Sequence, residues 1–526
     1  MDDLTTDYAQ DKLVNFIFRL SPVRHIFLLS RRAVEADAAP ALPALGRDVR
    51  PSSSFPHPAS AAMEHDFLPH LLPDSRRPAI LHLLELVRSA GGRALLVGGC
   101  VRDALLGRPS KDIDIEVYGL EADVLRPLLA SHYRLDEVGA SFGVIKLHGL
   151  DVDVALPRSE TRLGAGHRDF AVATDPHLSY AEAAARRDLT INAILCDPLT
   201  GELIDPWHGQ DDLRRRVLRH VSPHFTEDPL RVLRLMQFVA RLEFQVASET
   251  VELCRTLSQD SLPRERLGDE WEKLLLKGQR PSLGLRFLRD CGWTRFYPEL
   301  EATIGCQQTP LWHPEGDVWE HTLKALDIAA TLRHGDRHDD LALMAAVLCH
   351  DFGKPRASYT DADGIIRSPG HDIQGLAPAR DFLRRLWLNN DLEKLVLALV
   401  ACHMRAMDVI RNGNDRTMRR LSLDALRLDL LADVFEADLR ASRPQPTTPV
   451  DQFRAMAERL RIARSTPKPL ILGRHLLERG LKPGPELGRI TRLCFEHQLD
   501  GDFDDLPGAL HFLDHLLQNP PPQKDK

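Results

Sequence analysis

The sequence predicts an α+β chain, a small α/β head followed by an all-helical body. From about residue 76 to 205, short runs of β character ("ALLVGG", "DIDIEVYG", "GVIKLHG", "DVDVAL", "NAILCD") alternate with helical stretches. After residue 210 the strand signals stop. From there to the end, long helical patterns such as "PLRVLRLMQFVARLEF" and "DEWEKLLLKG" take over, broken by Gly and Pro. At 526 residues the chain is too long for one core, and ordinary domain size divides it into several units.

Residues 1–62 are rich in Ala, Pro and Ser, close on "RPSSSFPHPASAAM" and lack sustained periodicity. They read as a disordered tail, or as an extension ahead of a working start at Met63. Their apolar segment "NFIFRLSPVRHIFLLSRR" is interrupted by Arg19 and Arg24 and preceded by acidic residues, which argues against an export signal. The head spans 76–210, and helical regions follow at 211–305, 313–445 and 446–526, with no short-period repeat. A composition of 43% hydrophobic and 27% charged residues is that of a globular protein. With a net charge of -8 there is no global basic field, so a polyanion would have to be held by local patches. Arg214 to Arg216 and "RTMRR" at 416–420 are candidates, against the plainer reading of solvated helix faces. Eight cysteines without a CxxC pair exclude a disulfide framework or zinc ribbon and fit a reducing cytoplasm. No apolar run approaches the roughly 20 residues that span a bilayer, so no membrane partner is expected.

Within the head, Gly98 and Gly99 follow the strand "ALLV" and precede a helix beginning near Val101. Glycines there let the backbone approach a phosphate, and Arg102 adds positive charge. About ten residues later Asp112 and Asp114 stand two apart in a strand and so share a face. Two carboxylates side by side repel unless a cation lies between them, and hard oxygen ligands suit Mg²⁺. Two-metal phosphoryl transfer needs a further carboxylate on a neighbouring strand. Asp153, in "DVDVAL", is the candidate; the alternative is a solvated edge-strand acid. In "ARRDLTINAIL", Arg186, Arg187 and Asp188 cap an apolar strand or helix, and guanidinium forks suit triphosphate oxygens. Asp228, Arg231 and Arg234 at i, i+3 and i+6 lie along one slowly turning helix face and could offer donors and acceptors to a base edge, or form ordinary helix ion pairs.

The four stretches "LVGGCVRDALLG", "KDIDIEVYG", "RRDLTINAI" and "EDPLRVLRLMQFVARLEF" resemble, in this order, the class II tRNA nucleotidyltransferases, which include CCA-adding enzymes and bacterial poly(A) polymerases. The resemblance covers about residues 90–300. It implies that Asp112 and Asp114 hold the catalytic Mg²⁺, that Gly98, Gly99, Arg102 and Arg187 bind the triphosphate, and that Asp228, Arg231 and Arg234 read the incoming base. Many relatives carry a basic residue where this chain has Gln237, so one contact of that helix is expected to be absent or neutral.

Further along, His321, the pair His350-Asp351, His371, His403 and Asp438 fall near the middles or ends of helical segments. Imidazole with carboxylate suits Mn, Fe, Co, Ni or Zn better than Mg. A lone His on such a helix is more often a core residue, but the adjacent His350-Asp351, ended by Gly353, is harder to read that way. The region resembles an HD-superfamily phosphohydrolase domain. That resemblance implies a metal site at His321, His350, Asp351 and Asp438, with His371 and His403 as possible additions and Lys354 as a phosphate contact. A transition metal such as Mn²⁺, Ni²⁺ or Co²⁺ is expected there.

The reading is a CCA-adding enzyme using CTP, ATP and tRNA, with an appended phosphohydrolase acting as 2′,3′-cyclic phosphodiesterase, 2′-nucleotidase or phosphatase. Two alternatives stand beside it. One is an A-adding enzyme or poly(A) polymerase of the same family; the other is an RNA-binding HD hydrolase whose polymerase site is inactive.

Overall fold

The computed structural model describes residues 71–72, 75–110, 112–136, 144–162, 170–442 and 446–519, all within the unit Glu64–Lys526. The expected tail at 1–62 lies outside the described residues.

The head is built on β1 (Arg93–Val97), β2 (Ile113–Tyr118), β3 (Leu135–Asp136), β4 (Val144–Leu147), β5 (Val152–Ala155), a hairpin of β6 (Arg158–Arg162) and β7 (Phe170–Thr174), β8 (Leu195–Asp197) and β9 (Glu202–Ile204). Seven of these form one sheet in the order β3-β4-β5-β2-β1-β8-β9, in which only β2 and β5 run parallel. Alternation in β2 explains its two faces. Ile113, Ile115 and Val117 enter a core with Leu83, Leu84 and Val87 of α1 (Arg77–Ser89), while Asp114 and Glu116 face the other way. On that second side Leu95, Val97 and Tyr118 pack against Ala183 of α2 (Tyr180–Ala185).

The glycine pair opens α3, whose range Gly99–Leu105 starts two residues earlier than expected. It has seven residues, so its value to the site is close backbone approach rather than a long helix dipole. The helical body includes α4 (Leu230–Leu242), α5 (Arg264–Lys277), α6 (Pro281–Asp290), α7 (Val318–Thr331), α8 (Arg337–Cys349), α9 (Asn390–Cys402), α10 (Asp415–Ala425), α11 (Leu428–Ser442) and α12 (Pro485–Asp500). One apolar cluster runs without interruption from Leu189 through α4 to α9 and on to Ala463, and a smaller one gathers Ile471, Leu476, Ile490, Phe503 and Leu513. The basic run at 416–420 is neither a free patch nor a plain solvated face: Arg416 and Arg420 pair with Asp500 at 2.8 Å each and dock α10 on α12. Arg214 pairs with Asp211.

Candidate functional site

Strand pairing assembles the first site. Asp114 lies opposite Val97, the residue ahead of Gly98, and beside Asp153 across the parallel pair. Gly98 has φ +76°, and a Cβ there would meet Arg187 Nη1 at 3.2 Å and Asp114 Oδ2 at 3.8 Å. The glycine turn, an arginine and a carboxylate therefore converge on one point. Asp112 stands just ahead of β2, exposed at the same mouth. The Asp114 carboxyl is pushed above the usual range, first by desolvation and then by the charges of Asp153 and Asp112, with Arg187 opposing. Asp153 has the expected register, but its carboxylate accepts from Lys146 Nζ at 3.0 Å and it stands off the cavity wall.

The next residue of the same strand parity, Glu116, is buried and escaped the sequence reading. It takes Arg186 at 2.8 Å, Arg187 at 3.5 Å and the Tyr118 hydroxyl at 2.8 Å. It thereby aims both arginines toward the mouth where Asp112 and Asp114 stand. Arg186 to Asp188 do not open an apolar strand or helix: they follow α2, and the apolar run after them is a 3-10 turn, Thr190–Asn192, then β8.

A cavity of about 670 Å³ joins these groups to α4. Its wall carries nine basic side chains against six acidic ones, a local excess of positive charge in a chain whose net charge is -8. Almost all of α4 is buried, and it presents Arg231, Arg234, Phe238 and Arg241 to the cavity at helical spacing. Asp228 precedes the helix instead of lying on it. Its Oδ1 accepts from the Leu230 amide at 3.1 Å and its Oδ2 from Arg266 of α5 at 2.7 Å. Gln237 is buried off the wall, where its Oε1 accepts from Arg241 at 3.0 Å. It tethers an arginine that the sequence reading had left out.

Arg231 donates to the carbonyls of His224 (2.6 Å) and Arg186 (2.5 Å). Arg234 pairs with buried Asp188 at 2.7 Å; Asn192 donates to Asp188 at 2.8 Å; Arg102, itself buried, donates to Asn192 at 2.6 Å. Burial alone would raise the Asp188 carboxyl, but Arg234 and Asn192 override it and hold it down at about 2. Asn192, Arg158, Arg241, Arg266 and Lys277 are wall residues that sequence reasoning missed, because only the fold brings them together.

The second site lies in the helical body. His321 is on α7, His350 and Asp351 follow α8, His403 follows α9, Asp438 is on α11, and His371 starts a short helical turn, His371–Gln374. All but Asp438, which is half-buried, are buried. Gly353 makes the assembly possible, since a Cβ there would lie 2.6 Å from the Gly375 amide and inside the His371 carbonyl. His321 Nε2 is 3.1 Å from Asp438 Oδ1 and 3.2 Å from His350 Nε2; His371 Nε2 is 3.3 Å from Asp351 Oδ1 and 3.1 Å from His403 Nε2. Lys354 Nζ lies 2.7 Å from Asp351 and donates to Gln308 at 2.6 Å. Buried Glu315, also missed, accepts from His321 Nδ1 at 2.8 Å and from His313 at 2.9 Å.

Burial would lower His321, but Asp438 and Glu315 override it and push it up to about 9. His403 is pushed down to about 3 by burial and by His350 and His371. Both Asp351 oxygens are buried and, although the nitrogens of His321, His350, His371 and Lys354 lie within 3.8 Å, none meets them in hydrogen-bond geometry. A buried carboxylate left this way among imidazoles fits a transition-metal ion, and the oxygen ligands that Asp112 and Asp114 offer at the cavity mouth are the type a hard cation takes, with Asp153 beside them held by Lys146.

Two family models match: the Poly A polymerase head domain over residues 94–219 and the HD domain over residues 318–438. Two multifunctional CCA proteins are similar in sequence. That of Chromobacterium violaceum is 39% identical over 338 residues, 63% of this chain and 79% of that protein; that of Pseudomonas fluorescens is 37% identical over 419 residues, 76% of this chain and 96% of that protein. The fold is similar to that of the Bacillus stearothermophilus CCA-adding enzyme in complex with CTP, with a TM-score of 0.59 at 22% identity, covering 85% of this chain and 98% of that one. It is similar also to the Thermotoga maritima CCA-adding enzyme complexed with tRNA-CCA, with a TM-score of 0.54 at 18% identity, covering 86% and 98%. Head and helical cluster together define a nucleotidyltransferase with an HD domain behind it, both of metal-dependent families. The chain belongs to the multifunctional CCA protein family.

Proposed function

We propose that this protein transfers CMP and AMP from CTP and ATP to the 3′ end of tRNA in the cytoplasm, and that its HD domain hydrolyses 2′,3′-cyclic phosphodiesters and 2′-phosphomonoesters. The observation that carries the first activity is the single cavity in which Asp112 and Asp114 face the arginine stripe of α4. In this reading 76–210 is the catalytic head, 211–305 the neck, 313–445 the HD domain and 446–526 a helical C-terminal region.

Asp112 and Asp114 would hold Mg²⁺, with Asp153 as third ligand after exchanging its bond to Lys146. A bound Mg²⁺ there supplies positive charge to the attacking 3′-hydroxyl and the leaving pyrophosphate. Gly98 and Gly99 admit the triphosphate to the backbone, and Arg187, oriented by Glu116, neutralises it. Arg102 sets the rear of that pocket through Asn192. Arg231, Arg234 and Asp228 offer the base edge the donors and acceptors that their present partners leave over, since a guanidinium has five N–H groups and a carboxylate about four lone pairs. Solvent-accessible polar contacts along the helical body would hold tRNA by shape and phosphates. In the HD domain, His321, His350, Asp351 and Asp438 would hold a transition metal such as Mn²⁺, Ni²⁺ or Co²⁺, and Lys354 is placed to meet a phosphate oxygen beside Asp351.

The test is addition to tRNA lacking its terminal CCA, with labelled CTP, ATP, UTP and GTP supplied singly and together. Ordered incorporation of two C and one A is expected. Addition of A alone or of a poly(A) tail would favour the sister activities, and no addition with intact 2′,3′-cyclic nucleotide hydrolysis would leave only the HD reading.

A further inference from the structure

Large apolar side chains left in water gather beside the buried histidine cluster. Among the described residues ten such side chains are exposed, and five of them adjoin this one place. Leu311 and Trp312 precede His313, Ile373 lies two residues after His371, Met404 follows His403, and Tyr359 stands on the hairpin that leads back to His371. We propose that Trp312 is a base-stacking platform for the HD site: the nucleobase attached to the phosphate ester lies on its indole, so that the site takes nucleotides and RNA ends in preference to baseless phosphate esters. This rests on the reading of the domain as a phosphohydrolase and names what the site grips besides the phosphate.

Exposure singles Trp312 out. Of the six tryptophans in the chain, Trp312 alone stands in water, 47% exposed, while the other five are buried or half-buried. An indole kept at the surface offers a flat apolar face that a second ring can cover.

The segment that carries it is pinned on both sides. The amides of Trp312 and His313 both donate to the Thr309 carbonyl at 3.0 Å. The Thr309 hydroxyl accepts from the Ile366 amide at 2.8 Å and donates to the Ile366 carbonyl at 2.9 Å, which ties the segment to the hairpin of Tyr359–Thr360 and Ile366–Arg367. Ahead of Thr309, Gln308 accepts from Lys354, the group placed to meet a phosphate oxygen, at 2.6 Å. After Trp312, the His313 ring stands edge-on to that of His321, with centroids 5.0 Å apart. The indole is thus carried between the proposed phosphate contact and a histidine of the cluster. A side chain on so fixed a segment gives up little freedom when a ligand covers it.

The chemistry of the site selects the occupant. A nucleotide carries its base one sugar away from its phosphate. With the phosphate beside Lys354 and Asp351, both buried, the base is left toward the exposed rim where Trp312 stands. Every base has a π face, so stacking holds any of the four without reading its edge. That tolerance fits an activity on phosphate esters at the ends of RNA, whatever the last base.

The full chain loaded with Mn²⁺ is assayed on two esters, adenosine 2′,3′-cyclic phosphate and 1-O-methylribose 2,3-cyclic phosphate, which keeps the sugar and the ester but has no base. The wild type should show a KM about tenfold lower for the adenosine ester. Trp312→Ala should abolish that preference by raising KM for the adenosine ester with kcat nearly kept; Trp312→Leu, apolar but without a π face, should do the same, and Trp312→Phe should keep most of the preference. If the Ala variant does not fold by circular dichroism, the Leu variant is read in its place. Equal KM for the two esters in the wild type, a preference that survives Trp312→Ala, one kept whole by Trp312→Leu, or a loss of kcat on both esters alike would each overturn the platform and leave the hydrolase reading standing. Hydrolysis of neither ester with Mn²⁺, Co²⁺ or Ni²⁺ would overturn both.

Discussion

In the head the charged groups at and beside the open cavity hold one another: Arg266 on Asp228, Arg187 on Glu116, Lys146 on Asp153. In the helical cluster all groups but the half-buried Asp438 are buried, and the four histidines are held by main-chain carbonyls or by Glu315. The difference suits the two tasks. Partners that are themselves charged side chains at an open wall can be exchanged for the phosphates and bases of successive nucleotides. Rings pinned to the backbone keep one geometry and one tautomer, as a lasting metal site needs. Each site should therefore fail on its own.

The largest separation is expected from Asp114→Ala, which removes a carboxylate worth several kcal/mol to metal-assisted transfer and should lower nucleotide addition by about 10³-fold or more. Hydrolysis of 2′,3′-cyclic nucleotide should be untouched, since Asp114 belongs to the head. Asp351→Ala is the mirror experiment: cyclic nucleotide hydrolysis should vanish while CCA addition in Mg²⁺ persists. Loss of both activities in either folded variant would end the two-site description.

A smaller effect sharpens what pins the rings. Glu315→Gln keeps the shape but weakens the grip on His321 Nδ1, and should weaken transition-metal affinity by roughly 10–100-fold in a titration. Unchanged affinity would make Glu315 a bystander. Asp228→Ala should relax discrimination against UTP and GTP by roughly tenfold while tRNA affinity holds, because it removes an acceptor from the base wall.

A further effect concerns pH and stability rather than activity. The Asp188 carboxyl is held at about 2 against an ordinary 3.8, so its ion pair stabilises the fold above the unfolded value and that contribution is lost as pH falls from about 4 through about 2. It amounts to about 2 kcal/mol. Asp188→Asn should lower thermal stability at pH 7 and flatten its acid limb; an unchanged profile between pH 5 and 2 would remove Asp188 from the wall's support.

What could be read from the sequence was local. Strand parity marked Asp112 and Asp114, and strand-then-glycine marked Gly98. The adjacent His350-Asp351 marked the helical cluster. The α+β plan followed from where β-like runs stop. Long-range placement was not legible. Arg266 and Asn192 carry no motif that points to a cavity, and the 416–420 run looks basic until Asp500 is brought against it. Glu116 could have been found by carrying the parity of Asp112 and Asp114 one step further. Glu315 stands in "HPEG", where nothing local says that its carboxylate meets a histidine six residues on.

The chain Arg234–Asp188–Asn192–Arg102 links α4, the helix of the arginine stripe, to the one that follows the glycine turn. Each link is a short bond between buried or half-buried groups, so the two jaws form a caliper of fixed opening. On the proposed reading a nucleotide would be gauged along its length, from phosphate tail to base edge, and neither jaw could slacken for a misfit without tugging the other.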